Sequence, residues 1–173
     1  MATETPWLTA EQEHVWRAWA RLNSQLSATL QRQMQEDAQL SMSDYEVLVH
    51  LTDQPEGRLR VSDLAGLLQW ERSRVSHHVT RMERRGLVLR AECEEDGRGA
   101  YVAVTASGRA AIERAAPGHA TAVRRLVFET LAADEVADLG TTLDKLLARL
   151  GDEAADDAVE DSRLAAPPAV ASP

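Results

Sequence analysis

Aromatic residues are scarce in this chain: four tryptophans, two tyrosines and one phenylalanine make up 4% of 173 positions. Ala and Leu are abundant beside them, and such a composition leans helical. Cysteine occurs once, at Cys93, which excludes a disulfide framework within one chain and fits a reducing compartment. Long apolar runs are absent, and so is a charged-then-apolar N-terminus, so neither a membrane span nor a signal peptide is expected and the predicted location is the cytoplasm. No Gly-rich phosphate loop, nucleophile elbow or cluster of catalytic carboxylates occurs, and no enzyme is expected. The histidines, His14, His50, His77, His78 and His119, lack metal-ligand spacing, so neither metal nor cofactor is expected.

What is present is charge, unevenly placed. The formal net charge is -9, which at first sight argues against nucleic acid. Past Gly151, however, six acids (Asp152, Glu153, Asp156, Asp157, Glu160, Asp161) face Arg163 alone. Between positions 72 and 90 the balance reverses: Arg72, Arg74, Arg81, Arg84, Arg85 and Arg90 face only Glu83. Screening makes the local field of such a strip the relevant one for phosphates.

Periodicity organises the rest. Thr9 reads as a helix N-cap, and Val15, Trp19, Leu22, Leu26 and Leu30 carry an amphipathic helix to about Glu36. Ser43 offers a second cap, with Val47, Leu48 and Leu51 on one face, and Pro55 and Gly57 stop that helix. Ser62 opens a short third helix whose Leu64, Leu67 and Leu68 point inward. A fourth helix follows Trp70, with Val75, Val79 and Met82 as its buried stripe and Gly86 as its end. Two short helices in tight succession, the second rich in arginine, form a helix-turn-helix pattern. The period then switches to β: positions 87–91 and 100–104 flank turn chemistry at 94–99, which predicts a two-stranded wing. Thr105 caps a further helix, in which Pro117-Gly118 is expected to force a kink or break. From about Asp134, Val136, Leu139, Leu143, Leu146 and Leu150 form a narrow seam suited to packing on another helix.

The predicted fold is therefore mainly α, a winged helix-turn-helix at 43–104 with a two-stranded β wing. Residues 9–36 and 105–150 form an all-helical dimerisation region, and 151–173 read as a disordered acidic and Ala/Pro-rich tail. Opposite the Val75–Val79–Met82 stripe, the fourth helix presents donors and short hydroxyls suited to a major groove. Arg72, Ser73, Arg74 and His77 are assigned to base edges, and Ser76, His78 and Arg81 to phosphates, with Thr80 on the same face. Arg98, between two glycines at the wing tip, suits a narrow minor groove. A solvated polar face is the bland alternative, and it explains poorly why so many like charges crowd with almost no acids.

The run Leu64-Ala65…Ser73-Arg74-Val75-Ser76…Arg81-Met82-Glu83-Arg84-Arg85-Gly86-Leu87-Val88, then Asp96-Gly97-Arg98 and Val104-Thr105-Ala106-Ser107-Gly108-Arg109, resembles the multiple-antibiotic-resistance-regulator (MarR) family. The order of elements matches over roughly residues 9–150. The resemblance implies a homodimer reading double-stranded DNA at a palindromic operator, and transcriptional control that is most often repression relieved by a small ligand. It implies that Arg98 is the minor-groove arginine and Asp96 its structural partner. Trp16 and Trp19, with Tyr45, become possible walls of a pocket for an aromatic or phenolic effector, although filling the dimer core is the commoner use of such residues. A redox cysteine of this family belongs in the first helix, whereas Cys93 lies at the wing among Glu92, Glu94 and Glu95, which favour the thiol. The rival from another class is a winged-helix module that binds protein rather than DNA.

Overall fold

The computed structural model describes residues 7–92 and 100–164, with side chains for 7–91 and 100–153. The chain divides into two units, Met1–Leu126 and Val127–Pro173. In the first, helix α1 (Ala10–Ala38) begins where expected. Thr9 and Gln12 form a capping box: the Thr9 N–H donates to Gln12 Oε1 at 2.9 Å, and the Gln12 N–H to Thr9 Oγ1 at 3.2 Å. Helix α2 (Met42–Thr52) uses Ser41 with Asp44 in the same way, two residues before the expected Ser43. Both serines have an acid three residues on, but Asp44, held also by His78 and Arg85, is the carboxylate that reaches back to a cap N–H, that of Ser41.

A short strand β1 (Arg58–Arg60) precedes helices α3 (Val61–Leu68) and α4 (Arg72–Arg84), which are followed by β2 (Val88–Glu92) and β3 (Ala100–Val104). The wing hairpin is present, but the sheet has three strands in the order β1-β3-β2, all antiparallel. Strand β1 escapes a reading by alternation because it is three residues long and two of them are arginines; its pairing partner Tyr101 lies far along the chain. Helix α3 starts at Val61 rather than after a Ser62 cap, and Leu67, expected inward, is exposed.

One core joins these elements. Met34, Val47, Leu48, Leu51, Leu64, Val75, Val79, Met82 and Val102 are fully buried in it, and burial of each large apolar side chain is worth ~1.5–3 kcal/mol. At the exit of the wing, Thr105 caps α5 (Ala106–Val123) by accepting from the Gly108 N–H at 3.0 Å, while its hydroxyl donates to the Gly86 carbonyl at 2.6 Å. A Cβ on Gly108 would fall inside the van der Waals shell of the Leu87 carbonyl oxygen. The Thr-x-x-Gly step thus ties the start of α5 to the end of α4 at a separation that only glycine permits.

Of the kink or break expected at Pro117-Gly118, a break is absent: α5 is continuous from Ala106 to Val123. Its inner face is built of small residues, with Ala111, Ala115 and Ala122 buried. At Gly118 a Cβ would sit 3.0 Å from Gln33 Nε2 and 3.1 Å from Asp37 Oδ2 of α1. Close packing of α5 on α1 therefore holds the helix together across the proline. A π-helical turn (Arg124–Phe128) follows.

In the second unit α6 (Ala133–Leu164) carries the leucine seam and continues well past Leu150. The tail expected to be disordered from 151 is helical as far as Leu164. Ala154, Ala155, Ala158, Glu153 and Glu160 favour helix there, and extending a helix already formed is easier than starting one. Along the seam Val136, Leu139 and Leu143 are partly covered, whereas Leu146, Leu147 and Leu150 are exposed. No helix among the described residues is long and apolar enough to cross a membrane.

Candidate nucleic-acid interface

The turn between α3 and α4 is set by Gln69, which adopts a left-handed conformation (φ 52°), and by Trp70, whose N–H donates to the Ala65 carbonyl at 3.0 Å. From that turn α4 emerges with Val75, Val79 and Met82 in the core. Arg72, Ser73, Arg74 and His77, the residues assigned to base edges, are all exposed on the outer face.

The residues assigned to phosphates divide. His78 turns inward and is only 6% exposed, which corrects its assignment to the outer face. It follows Val75 by three positions and precedes Met82 by four, so the helical repeat places it beside the buried stripe. Its Nε2 lies 3.0 Å from Asp44 Oδ1, at ion-pair distance but too poorly aligned for a hydrogen bond. An Arg81 N–H donates to His78 Nδ1 at 2.8 Å. Because a guanidinium can only donate, Nδ1 must accept, which assigns the ring proton to Nε2, facing Asp44.

Ser76 and Thr80 are half-buried and engaged from the wing. Arg90 of β2 donates to the Ser76 carbonyl at 2.7 Å, to Ser76 Oγ at 3.1 Å and to Thr80 Oγ1 at 3.2 Å. This clamp fixes the wing strand against α4, so the two parts of the surface keep one relative position. Arg85 is likewise held internally: its guanidinium donates to Asp44 Oδ2 and to the Gln39 carbonyl, both at 2.6 Å. Asp44 is the hub of this arrangement and is buried. Burial opposes its ionisation, but the His78 contact and hydrogen bonds from Ser41 and Arg85 together outweigh it, holding the carboxyl well below the usual range.

The sequence missed this hub because its partners are distant along the chain, 41 residues in the case of Arg85. The basic strip is accordingly narrower than its composition suggests: Arg81, Arg85 and Arg90 use N–H donors on the protein itself. Asp96 and Arg98, and with them Cys93, lie outside the described residues.

Trp16 and Trp19 stand exposed on the N-terminal half of α1. At 1.5 Å per residue they are ~16 Å or more along the axis from Leu30, where α1 becomes buried. Tyr45 instead packs on the core and stacks on His119 of α5, with ring centroids 4.8 Å apart. Among the described residues no group of three or more His, Cys, Asp or Glu side chains could hold a metal.

The family model for the MarR family matches residues 40–99. The crystal structure of AbsC, a MarR family transcriptional regulator from Streptomyces coelicolor, is 36% identical, with 86% of this chain and 99% of that one covered at a TM-score of 0.81. This chain belongs to the MarR family. A second MarR family transcriptional regulator from Streptomyces coelicolor, solved in complex with DNA, is 39% identical over 84% of this chain and 91% of its own, at a TM-score of 0.80. An organohalide-sensing transcriptional regulator in its 2,4-dichlorophenol-bound form is 16% identical and shares the MarR fold, at a TM-score of 0.73 over 86% of this chain and 88% of its own. The search of curated proteins returns no match. In MarR terms, positions 40–99 run from α2 to the wing and include the whole α3–turn–α4 unit.

Proposed function

We propose that this chain is a sequence-specific DNA-binding transcription regulator that works as a homodimer on a palindromic operator, most often as a repressor. The observation that carries the reading is the outer face of α4, where Arg72, Ser73, Arg74 and His77 are exposed together while the opposite stripe is buried. A helix so arranged can lie in a major groove, with base contacts from its N-terminal turns. The MarR relative solved with DNA supports the same reading. Arg81 adds a phosphate contact, and Ser76 and Thr80 flank it. The MarR resemblance assigns Arg98 to the minor groove, with Asp96 as its partner.

Two exposed apolar surfaces support the dimer. On α1 they are Val15, Trp16, Trp19 and Leu22, and on α6 Leu146, Leu147 and Leu150. Contiguous apolar surface of this kind marks an interaction site, and a second copy supplies the matching face by symmetry. Symmetry also sets the half-sites about one helical turn apart, ~34–36 Å. A small aromatic or phenolic effector acts where Trp16, Trp19 or Tyr45 are available, and the regulator works in the cytoplasm.

Selection of bound duplexes from a random-sequence pool tests the core of this reading. It should return a two-fold symmetric consensus, and binding to it should weaken steeply with salt. No enrichment, or a flat salt response, would instead favour a winged-helix module that binds protein.

A further inference from the structure

The Trp70 indole, in the turn between α3 and α4, is half-buried against the core and meets His78 edge-on, with ring centroids 5.5 Å apart at 85°. His78 is itself held by Asp44 and Arg81. The indole therefore has a fixed backing. Over the ring stands Arg74, with its Cζ 4.0 Å from the ring centroid.

The way Arg74 is held differs from the way its neighbours are held. Arg81, Arg85 and Arg90 are fixed through their N–H groups, on His78, Asp44 and Ser76. A stacked guanidinium gives up only its face. Its N–H donors lie in the plane of the group and make no hydrogen bond among the described residues, so they stay available at its edge. That edge is what pairs with two acceptors on a guanine in the major groove. The recess around the pair, lined by Ser62, Gln69, Arg72 and Ser73, is open to solvent.

From this geometry we infer that Trp70 is a positioning residue for base readout: it holds the Arg74 guanidinium in one orientation, so that Arg74 discriminates between base sequences. The inference rests on α4 being the DNA-reading helix. An arginine free on a helix surface loses many rotamers on binding, whereas a stacked one meets the base already oriented. Removing the ring should therefore reduce discrimination between sequences while leaving general phosphate attraction in place.

The test uses the full chain and two duplexes, one enriched by the wild-type protein from a random pool and one scrambled. Trp70→Met keeps apolar bulk and removes the ring face. It should lower the affinity ratio between the two duplexes about three- to fivefold, with affinity for the scrambled duplex unchanged. Trp70→Phe, whose ring holds a cation more weakly, should fall between wild type and Trp70→Met. In an Arg74→Ala background Trp70→Met should change the ratio no further.

An unchanged ratio, or a drop that persists without Arg74, overturns the inference while leaving the DNA-binding reading intact. If Trp70→Met does not fold, the same cycle with Trp70→Phe decides by the same two criteria. If the wild-type chain enriches no duplex, the DNA reading fails and the role of Trp70 falls with it.

Discussion

The winged-helix region and the N-terminal half of α1 treat their apolar residues in opposite ways. In the first, Leu64, Val75, Val79, Met82 and Val102 are fully buried and the charged side chains other than Asp44 lie at the surface. In the second, Val15, Trp16, Trp19 and Leu22 are exposed on a helix that becomes buried only from Leu30 onward. The middle of α6 resembles the second region, with Leu146, Leu147 and Leu150 exposed. A region that completes its core within one chain needs nothing further to hold its shape. A helix that displays indoles and leucines to water offers apolar surface for a partner to cover, and the proposed dimer supplies one.

The largest effect should come from breaking the self-sufficient region at its tightest point. Gly108→Ala places a methyl group against the Leu87 carbonyl, and a backbone atom cannot move aside cheaply. A loss of ~3 kcal/mol or more is expected, large enough to unfold a marginal domain. Chemical denaturation would show it, and because the clash lies within one chain the loss should not depend on protein concentration. A variant as stable as wild type would mean that α5 does not approach β2 this closely.

Asp44→Ala comes next. It takes the acceptor from the Ser41 N–H and from half-exposed Arg85 and leaves the buried His78 ring facing an empty site, and each buried polar group left unpaired costs ~1–3 kcal/mol. The same carboxylate gives the region an acid sensitivity. Its folded-state pKa is depressed, so its contribution is present above the unfolded carboxyl value and is lost as pH falls through the folded one. Wild type should lose stability in that acid range, and Asp44→Ala should lose less of it. Parallel acid curves for the two proteins would remove Asp44 from the centre of the network.

The other side of the comparison breaks differently. Trp16→Glu with Leu22→Glu puts charge on the exposed face of α1, where neither side chain supports the core of its own chain. Sedimentation should show more monomer, by a shift worth ~2 kcal/mol or more. Far-UV circular dichroism should be little changed, and binding to a two-half-site duplex should weaken more than binding to one half-site. An unaltered dimer would place the interface elsewhere.

This asymmetry also explains which features were legible in the sequence. Helices α1 to α4, the hairpin and the Thr105 cap follow from periodicity and capping residues within a few positions of one another. The exposed outer face of α4 was legible for the same reason, since Val75, Val79 and Met82 fix its rotation. Features that depend on distant partners were not legible. Helical spacing from Val75 and Met82 puts His78 beside the buried stripe, but in a run of polar residues it reads as polar and outward until Asp44 of α2 is found next to it. Arg85 reads as one more positive charge until Asp44 and the Gln39 carbonyl are found beside it. Strand β1 exists because β3 pairs with it, and the helical stretch beyond Leu150 follows from propensity where apolar period gives no signal.

The smallest effect expected lies where α5 packs on α2. His119 stacks on Tyr45, its Nδ1 is buried without a partner, and burial lowers its pKa. A depressed folded-state pKa means that the neutral ring suits the fold. Its contribution is fully present above the unfolded imidazole value and is lost as pH falls through the folded one. Mild acid should therefore loosen the contact between α2 and α5 well before Asp44 is protonated. His119→Phe keeps a ring against Tyr45 and cannot take up a proton. Urea denaturation at pH 7.5 and at ~5.5, on either side of the ordinary histidine value, should show wild type losing more stability on acidification than His119→Phe. Equal losses would mean that His119 is hydrated enough to carry its charge in place, and that the contact it makes with Tyr45 is as tolerant of water as the exposed face of α1.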